Sequence, residues 1–153
     1  MILVERKVGM PYPKDYDTYP QNGPLDWASR FDTSTWGLLS AYAKRDRIGS
    51  AVVAWNTANV EMLEGRSDVA VLWDLRVHPE LRGRGIGTAL FQAVEGWARS
   101  CGCTQIKVET QNINVPACRF YARQSCSLEA FNRLAYEDLP DEVQLVWFKD
   151  LAP

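Results

Sequence analysis

Apolar and polar positions sort this 153-residue chain into strand-like and helix-like runs. The clearest alternation is VAVLWDLRV, Val69–Val77. At a period of two, Val69, Val71, Trp73, Leu75 and Val77 share one face, and Ala70, Leu72, Asp74 and Arg76 share the other. Upstream, Trp36–Ala43 and Ile48–Asn56 read as strands, and the polar KRDR between them predicts an antiparallel hairpin. Residues 2–8, ILVERKV, predict a first strand, and residues 57–68 a polar connection. Downstream, Ile86, Leu90, Ala93, Val94 and Trp97 recur at helical spacing over about Gly85–Ser100, with Gly102 placed to stop the helix. Gln105–Thr110 predicts a strand. Asn114 is placed to cap a second helix, with Pro116 in its first turn, running to about Gln124. Leu128–Ala135 and Val143–Lys149 predict two last strands, joined by the acidic turn YEDLPDE. The order predicts one α/β (α+β) domain spanning residues 1–153, with a mixed central sheet of about six to seven strands flanked by helices.

One segment breaks the pattern. GMPYPKDYDTYPQNGPLDW holds four of the eight prolines together with Tyr12, Tyr16 and Tyr19. Proline at that density blocks long helices and interior strands, so residues 9–27 predict a loop with a short helical turn near Leu25–Arg30. A loop this long in a compact domain is often functional.

Composition narrows the classes. Apolar residues make up 46% of the chain, enough for a core. The 17 basic and 19 acidic side chains nearly cancel, which argues against a nucleic-acid partner. No apolar run approaches a membrane span, and MILVERKVG is too short and too charged for a signal-peptide core, so the expectation is a cytoplasmic protein with no membrane partner. Cys101, Cys103, Cys118 and Cys126 have a single histidine, His78, for company, so no metal is expected. The thiols read as buried or half-buried small hydrophobes.

The candidate chemistry lies in LRGRGIGTALFQ, Leu81–Gln92. A phosphate loop of the Gly-x-x-x-x-Gly-Lys-Ser/Thr type is rejected, because the lysine is missing. A Gly-x-Gly-x-x-Gly dinucleotide fingerprint starting at Gly83 and Gly85 fails at Thr88. What remains is Arg82-Gly83-Arg84-Gly85-Ile86-Gly87, directly after a strand and opening a helix. Amides at a helix start, backed by the helix dipole, form an anion site, and glycines let a pyrophosphate approach the backbone. Arg82 and Arg84 add charge-assisted donors. Taken alone, the motif is equally compatible with a glycine-rich turn carrying solvated arginines.

With LWDLRVHPELRGRGIGTALFQ and, further on, NVPACRFYARQSC, the chain resembles the GCN5-related N-acetyltransferase (GNAT) family over roughly Ile48–Lys149. Within it, VETQNINVPACRFY is most similar to streptothricin acetyltransferases. The resemblance implies a GNAT fold whose central strand pair splays to admit acetyl-CoA as co-substrate. It implies that Leu75, Arg76 and Val77 offer backbone groups to the pantetheine arm. Arg82, Gly83, Arg84, Gly85, Ile86, Gly87 and Thr88 would cradle the pyrophosphate, and Asn114 would contact the cofactor. Tyr121 would stand beside the sulfur, where a phenol can protonate or hydrogen-bond a leaving thiolate. On the sequence pattern alone, Tyr121 reads equally as a core aromatic.

An attacking amine arrives charged and must lose a proton, to a carboxylate directly or through water. Asp74 is the first candidate base and Glu109 the second, with a structural acceptor role open for each. The implied reaction moves an acetyl group to a primary amine of a small, cationic, antibiotic-like acceptor. Protein lysine or N-terminal acetylation, or a non-catalytic acyl-CoA sensor, remain alternatives, and monomer and homodimer are both open. Two departures matter. Ser125–Cys126 stands where the family commonly has Gly-Phe. The Pro/Tyr-rich segment replaces two helices, so the acceptor pocket does not transfer. Asp15, Asp17 and the turn residues Glu137, Asp138, Asp141 and Glu142 suit a cationic amine, and suit charged surface loops equally.

Overall fold

The computed structural model describes residues 2–10, 14–18 and 23–152. Six strands form one sheet among them: β1 Gly37–Ala43, β2 Asp46–Trp55, β3 Val69–Val77, β4 Gln105–Gln111, β5 Ser127–Asn132 and β6 Gln144–Asp150, in the spatial order β1-β2-β3-β4-β6-β5. Only the β3–β4 pair is parallel; the others are antiparallel. Helices α1 (Trp27–Arg30), α2 (Ile86–Ser100) and α3 (Val115–Arg123) complete the fold. The sheet therefore has the expected α/β class and mixed pairing.

The seventh strand does not form. Residues 2–8 make no ladder, and Ile2, Val4 and Val8 are exposed. ILVERKV has the alternation of a strand but neither a partner edge nor a covered face, and pattern without burial does not hold a strand. Its Glu5 instead pairs with Arg119 of α3. Strand β5 ends three residues early, because the Asn132 side chain accepts from the Leu134 amide at 2.9 Å and turns the chain. Tyr12 and Tyr19 of the Pro/Tyr-rich segment, and the side chain of Asp17, lie outside the described residues.

Two apolar clusters sandwich the sheet. On one face, Val53, Leu72, Ile106, Val108 and Trp147 pack against Phe91, Val94 and Ala98 of α2 and Tyr121 of α3. On the other, Ala54, Val60, Leu63, Val69 and Val71 are covered by Phe31, Trp36 and Trp73. Gly37 permits one tight contact: a Cβ there would lie 2.6 Å from Trp97 Cε2. Cys103, Cys118 and Cys126 are buried and Cys101 half-buried, all free thiols. Burial raises Cys103 and Cys126 to about 11, as apolar surroundings do to a thiol.

Candidate functional site at the sheet split

The parallel pairing of β3 with β4 covers only Val69–Leu72 against Gln105–Val108. Beyond it the strands part. Residues 74–77 stay on β2, from Asp74↔Val52 to Val77↔Gly49, and residues 109–111 stay on β6. A bulge drives the separation. Val52 faces Asp74 and Val53 faces Leu72, so Trp73 is the extra residue in β3. An inserted residue bends its strand and sharpens the twist.

The bulge also corrects the predicted faces. Trp73 packs in the cluster away from α2 and α3, whereas Leu75 packs with the helix-side cluster. Val77 follows Leu75, its Cγ2 lying 3.8 Å from the Cβ position of Gly87. One regular alternation therefore does not run through Val69–Val77; the two faces exchange at Trp73. Asp74 and Arg76 share the opposite face, where Arg76 Nε donates to both Asp74 oxygens at 2.9 Å.

At the helix-side end of the split stands the glycine loop. Gly83 and Gly85 have φ of +74° and +84°, conformations that cost an L side chain strain. Nothing lies within 4 Å of a Cβ placed on either, so the loop is open above its backbone. The first helical bond of α2 runs from Ala89 N to Gly85 O, which leaves the Ile86, Gly87 and Thr88 amides at the helix start without intrahelical acceptors. Gly87 lets Phe120 pack closely: a Cβ there would lie 3.3 Å from the Phe120 ring, a contact that only a small shift of the ring would relieve. Arg82 Nε donates to Val77 O at 3.3 Å and ties the loop to the strand end, while Arg84 is exposed.

Helix α3 lines the split on the same side. Asn114 caps it, its Oδ1 accepting from Ala117 N at 3.3 Å, and its Nδ2 donates to Tyr16 Oη at 3.4 Å. Ser125 takes the left-handed conformation (φ +60°) that closes the helix, the job a glycine does without strain. Tyr121 is buried between Phe91 and Phe120, at ring-centroid distances of 6.0 and 5.1 Å. Burial, with the Cys126 and Asp74 charges behind it, pushes its phenol well above the usual tyrosine range, so it stays neutral. Among the described residues its hydroxyl has no hydrogen-bond partner.

Glu109 stands across the split from Asp74. It accepts from Gln144 Nε2 at 2.8 Å and from the Tyr136 hydroxyl, and that hydroxyl accepts from Gln111 Nε2 at 2.9 Å. Burial first and the Glu109 bond second hold Tyr136 well above the usual tyrosine range. A cleft of about 560 Å³ opens beside them, lined by Glu109, Gln144, Trp73, Phe31, Glu61 and Met62 among others. Asp74 is not part of its lining. Tyr136 and Gln144 carry no signal of their own in the sequence, because only the return of β6 between β4 and β5 sets them beside Glu109. No three His, Cys, Asp or Glu side chains converge as a metal site among the described residues. No helix among them is long and apolar enough to cross a membrane.

Residues 4–125 match the acetyltransferase (GNAT) family. The chain belongs to the GNAT family of acetyltransferases. It is 32% identical over 81 residues to streptothricin acetyltransferase A of Bacillus subtilis (strain 168), a match covering 52% of this chain and 47% of that relative. It is 31% identical over 105 residues to an aminoglycoside N(6')-acetyltransferase type 1 of Stenotrophomonas maltophilia, covering 69% and 67%. Among solved structures, a streptothricin-acetyltransferase-like protein of Bacillus anthracis str. Ames in complex with acetyl coenzyme A superposes with a TM-score of 0.66. That match has 28% identity and covers 75% of this chain and 63% of the other. The chain thus spans about half the length of the first relative and under two thirds of that structure. The GNAT match takes in the glycine loop, the split and α3; β5, the acidic turn and β6 lie beyond it.

Proposed function

We propose that this GNAT protein transfers an acetyl group from acetyl-CoA to a primary amine of a small cationic acceptor. The observation that carries the reading is the split itself. It joins a glycine loop with free helix-start amides on one face of the sheet to a carboxylate-lined cleft on the other. A donor and an acceptor entering from opposite faces would meet between β3 and β4. The relatives named for streptothricin and aminoglycoside acetylation, and the acetyl-CoA complex, support the same classes of acceptor and donor.

Acetyl-CoA supplies a thioester carbonyl as electrophile. The Ile86–Thr88 amides and Gly83–Gly85 backbone would hold its pyrophosphate, with Arg84 as a charged donor and Asn114 close by at the start of α3. The backbone of Leu75–Val77, released from β4, would hydrogen-bond the extended arm and offer an N–H to the oxygen that gains charge. Glu109 is the better base candidate than Asp74, because it borders the acceptor cleft and Asp74 does not. Both carboxylates are engaged through both oxygens, Asp74 by the Arg76 cation and Glu109 by the neutral donors Tyr136 and Gln144, so position at the cleft decides between them. Glu109 would take the ammonium proton, directly or through water. Tyr121 would donate to the departing sulfur. Its phenol is a weaker acid than a thiol, so complete proton transfer is uphill and its contribution is a hydrogen bond to the thiolate.

Release of free thiol from acetyl-CoA over a panel of amines, aminoglycosides and streptothricin tests the reading. Turnover on a small amine is the expected outcome, with Glu109→Gln slowing it at least tenfold more than Asp74→Asn. CoA binding without release on any amine would leave a sensor, and release only with protein substrates would leave a protein acetyltransferase.

A further inference from the structure

Lys14 is folded back into the molecule. Its side chain is 9% exposed, and its ammonium pairs with Glu142, whose side chain is 4% exposed. The same ammonium lies 5.2 Å from the ring centroid of Tyr16 and 5.8 Å from that of Tyr136. Among the described residues, one carboxylate and two aromatic faces around a single ammonium form a cation cage, assembled from two distant stretches of chain, residues 14–16 and the turn between β5 and β6. Glu142 Oε2 takes Lys14, while Oε1 is buried with no hydrogen-bond partner among the described residues. An unsatisfied buried carboxylate oxygen is costly, so the cage has acceptor capacity that Lys14 does not fill. The cage abuts the cleft: Tyr136 puts its ring against Lys14 and its hydroxyl on Glu109.

We propose that the Glu142–Tyr136–Tyr16 cage is a binding subsite for a second cationic group of the acceptor, and that Lys14 occupies it as an internal surrogate until the acceptor displaces it. The proposal rests on the acetyl-transfer reading for the reacting amine at Glu109, and adds that the acceptor is at least dicationic. Lys14 is then the gate: when its ammonium leaves Glu142, the neighbouring Tyr16 hydroxyl is released from Asn114. A monoamine of similar length has no group to exchange for Lys14 and gains nothing from the cage.

The test uses cadaverine as the dicationic probe and pentylamine as its monocationic control. Lys14 acylation by acetic anhydride, read by peptide mass spectrometry on the full chain, reports whether the lysine is caged. Lys14 is expected to be protected in the free protein, to become roughly tenfold more reactive with saturating cadaverine, and to stay protected with pentylamine. By calorimetry, Lys14→Met is expected to tighten cadaverine binding about tenfold, because the internal competitor is gone. Glu142→Gln is expected to weaken it by a similar factor with pentylamine unaffected. Lys14 reactivity that ignores cadaverine, or Lys14→Met binding it no more tightly than wild type, overturns the proposal. These readouts need no turnover. Cadaverine exposing Lys14 without thiol release on any amine would sink the transferase reading and leave the cage. Turnover with a Lys14 indifferent to cadaverine would do the reverse.

Discussion

Replacing Gly85 by alanine probes the proposed cradle through the backbone alone. Gly85 precedes α2 at φ +84°, ψ −2°, and a Cβ there meets nothing within 4 Å. The perturbation is therefore not a clash but the left-handed conformation itself, worth roughly 1–2 kcal/mol for an L residue. That cost has two places to appear. If the introduced alanine holds the conformation, the fold loses about 1–2 kcal/mol, by the same principle, and CoA affinity is unchanged. If the loop relaxes, the fold is spared, but binding must rebuild the amide array at the start of α2, and CoA affinity falls about 5- to 30-fold. The two losses sum to the same total of roughly 1–2 kcal/mol. Gly102→Ala is the internal control. It has φ +80° and equally open surroundings, but sits past the far end of the 15-residue α2, about 22 Å away at 1.5 Å per residue. It carries the same strain and the same gain from a stiffer unfolded chain, and is expected to cost stability only. Urea unfolding and calorimetric titration with CoA, run on both variants, give the two terms. A Gly85→Ala protein that loses neither stability nor affinity would refute the reasoning. So would a Gly102→Ala protein that loses as much CoA affinity as Gly85→Ala.

Three further outcomes follow from the buried hydroxyl and thiols. Tyr121→Phe is expected to lower kcat roughly 10- to 100-fold with the KM for acetyl-CoA little changed, the worth of one charge-assisted hydrogen bond made as the thiolate departs. Because the Tyr121 phenol titrates above its ordinary range, the wild-type rate is expected to show no loss from its ionisation up to about pH 10; a KM-only effect of Tyr121→Phe would return Tyr121 to a packing role. Cys103 and Cys126, raised from 9.0 to about 11, favour the neutral thiol in the folded state. Their stabilising effect is complete below about pH 9 and is lost as pH climbs through 11, since the unfolded chain ionises first. The melting temperature is expected to fall across that window, and to fall less in Cys126→Ala, with no such difference near neutral pH.

Most elements were legible because their signals are local. The nine residues of β3, the Asn114 cap and the stop after Ser100 each follow from neighbours within one turn or one strand. Ser125 is the instructive case: a non-glycine at a helix end that calls for a left-handed residue adopts φ +60° all the same, so the position dictates the conformation and the residue bears the strain. ILVERKV misleads because alternation reports the capacity for a half-buried strand, and only the rest of the fold decides whether an edge is on offer. The face exchange at Trp73 is invisible for a related reason. A bulge is a disagreement in register between two strands, and no single run of residues contains it.

The same distinction divides the site. The proposed donor side is written in one contiguous stretch, strand end, glycine loop and helix, so spacing alone could separate it from two other nucleotide loops. The proposed acceptor side is assembled from residues far apart: Trp73 from a bulge, Glu109 from β4, Gln144 from β6, and Tyr136 and Glu142 from the turn between β5 and β6, with Lys14 reaching in from far upstream. The turn and β6 lie outside the stretch that matches the GNAT family. A shared donor demands one fixed local geometry at helix start and strand end, whereas each acceptor needs its own charges, and those are supplied where the framework leaves the chain free to vary. On the proposed reading, acceptor choice would rest on how the last hairpin and residues 14–16 meet beside Glu109. Substitutions at Lys14, Tyr136 or Glu142 are expected to change which amine is used before they change whether acetyl-CoA is held.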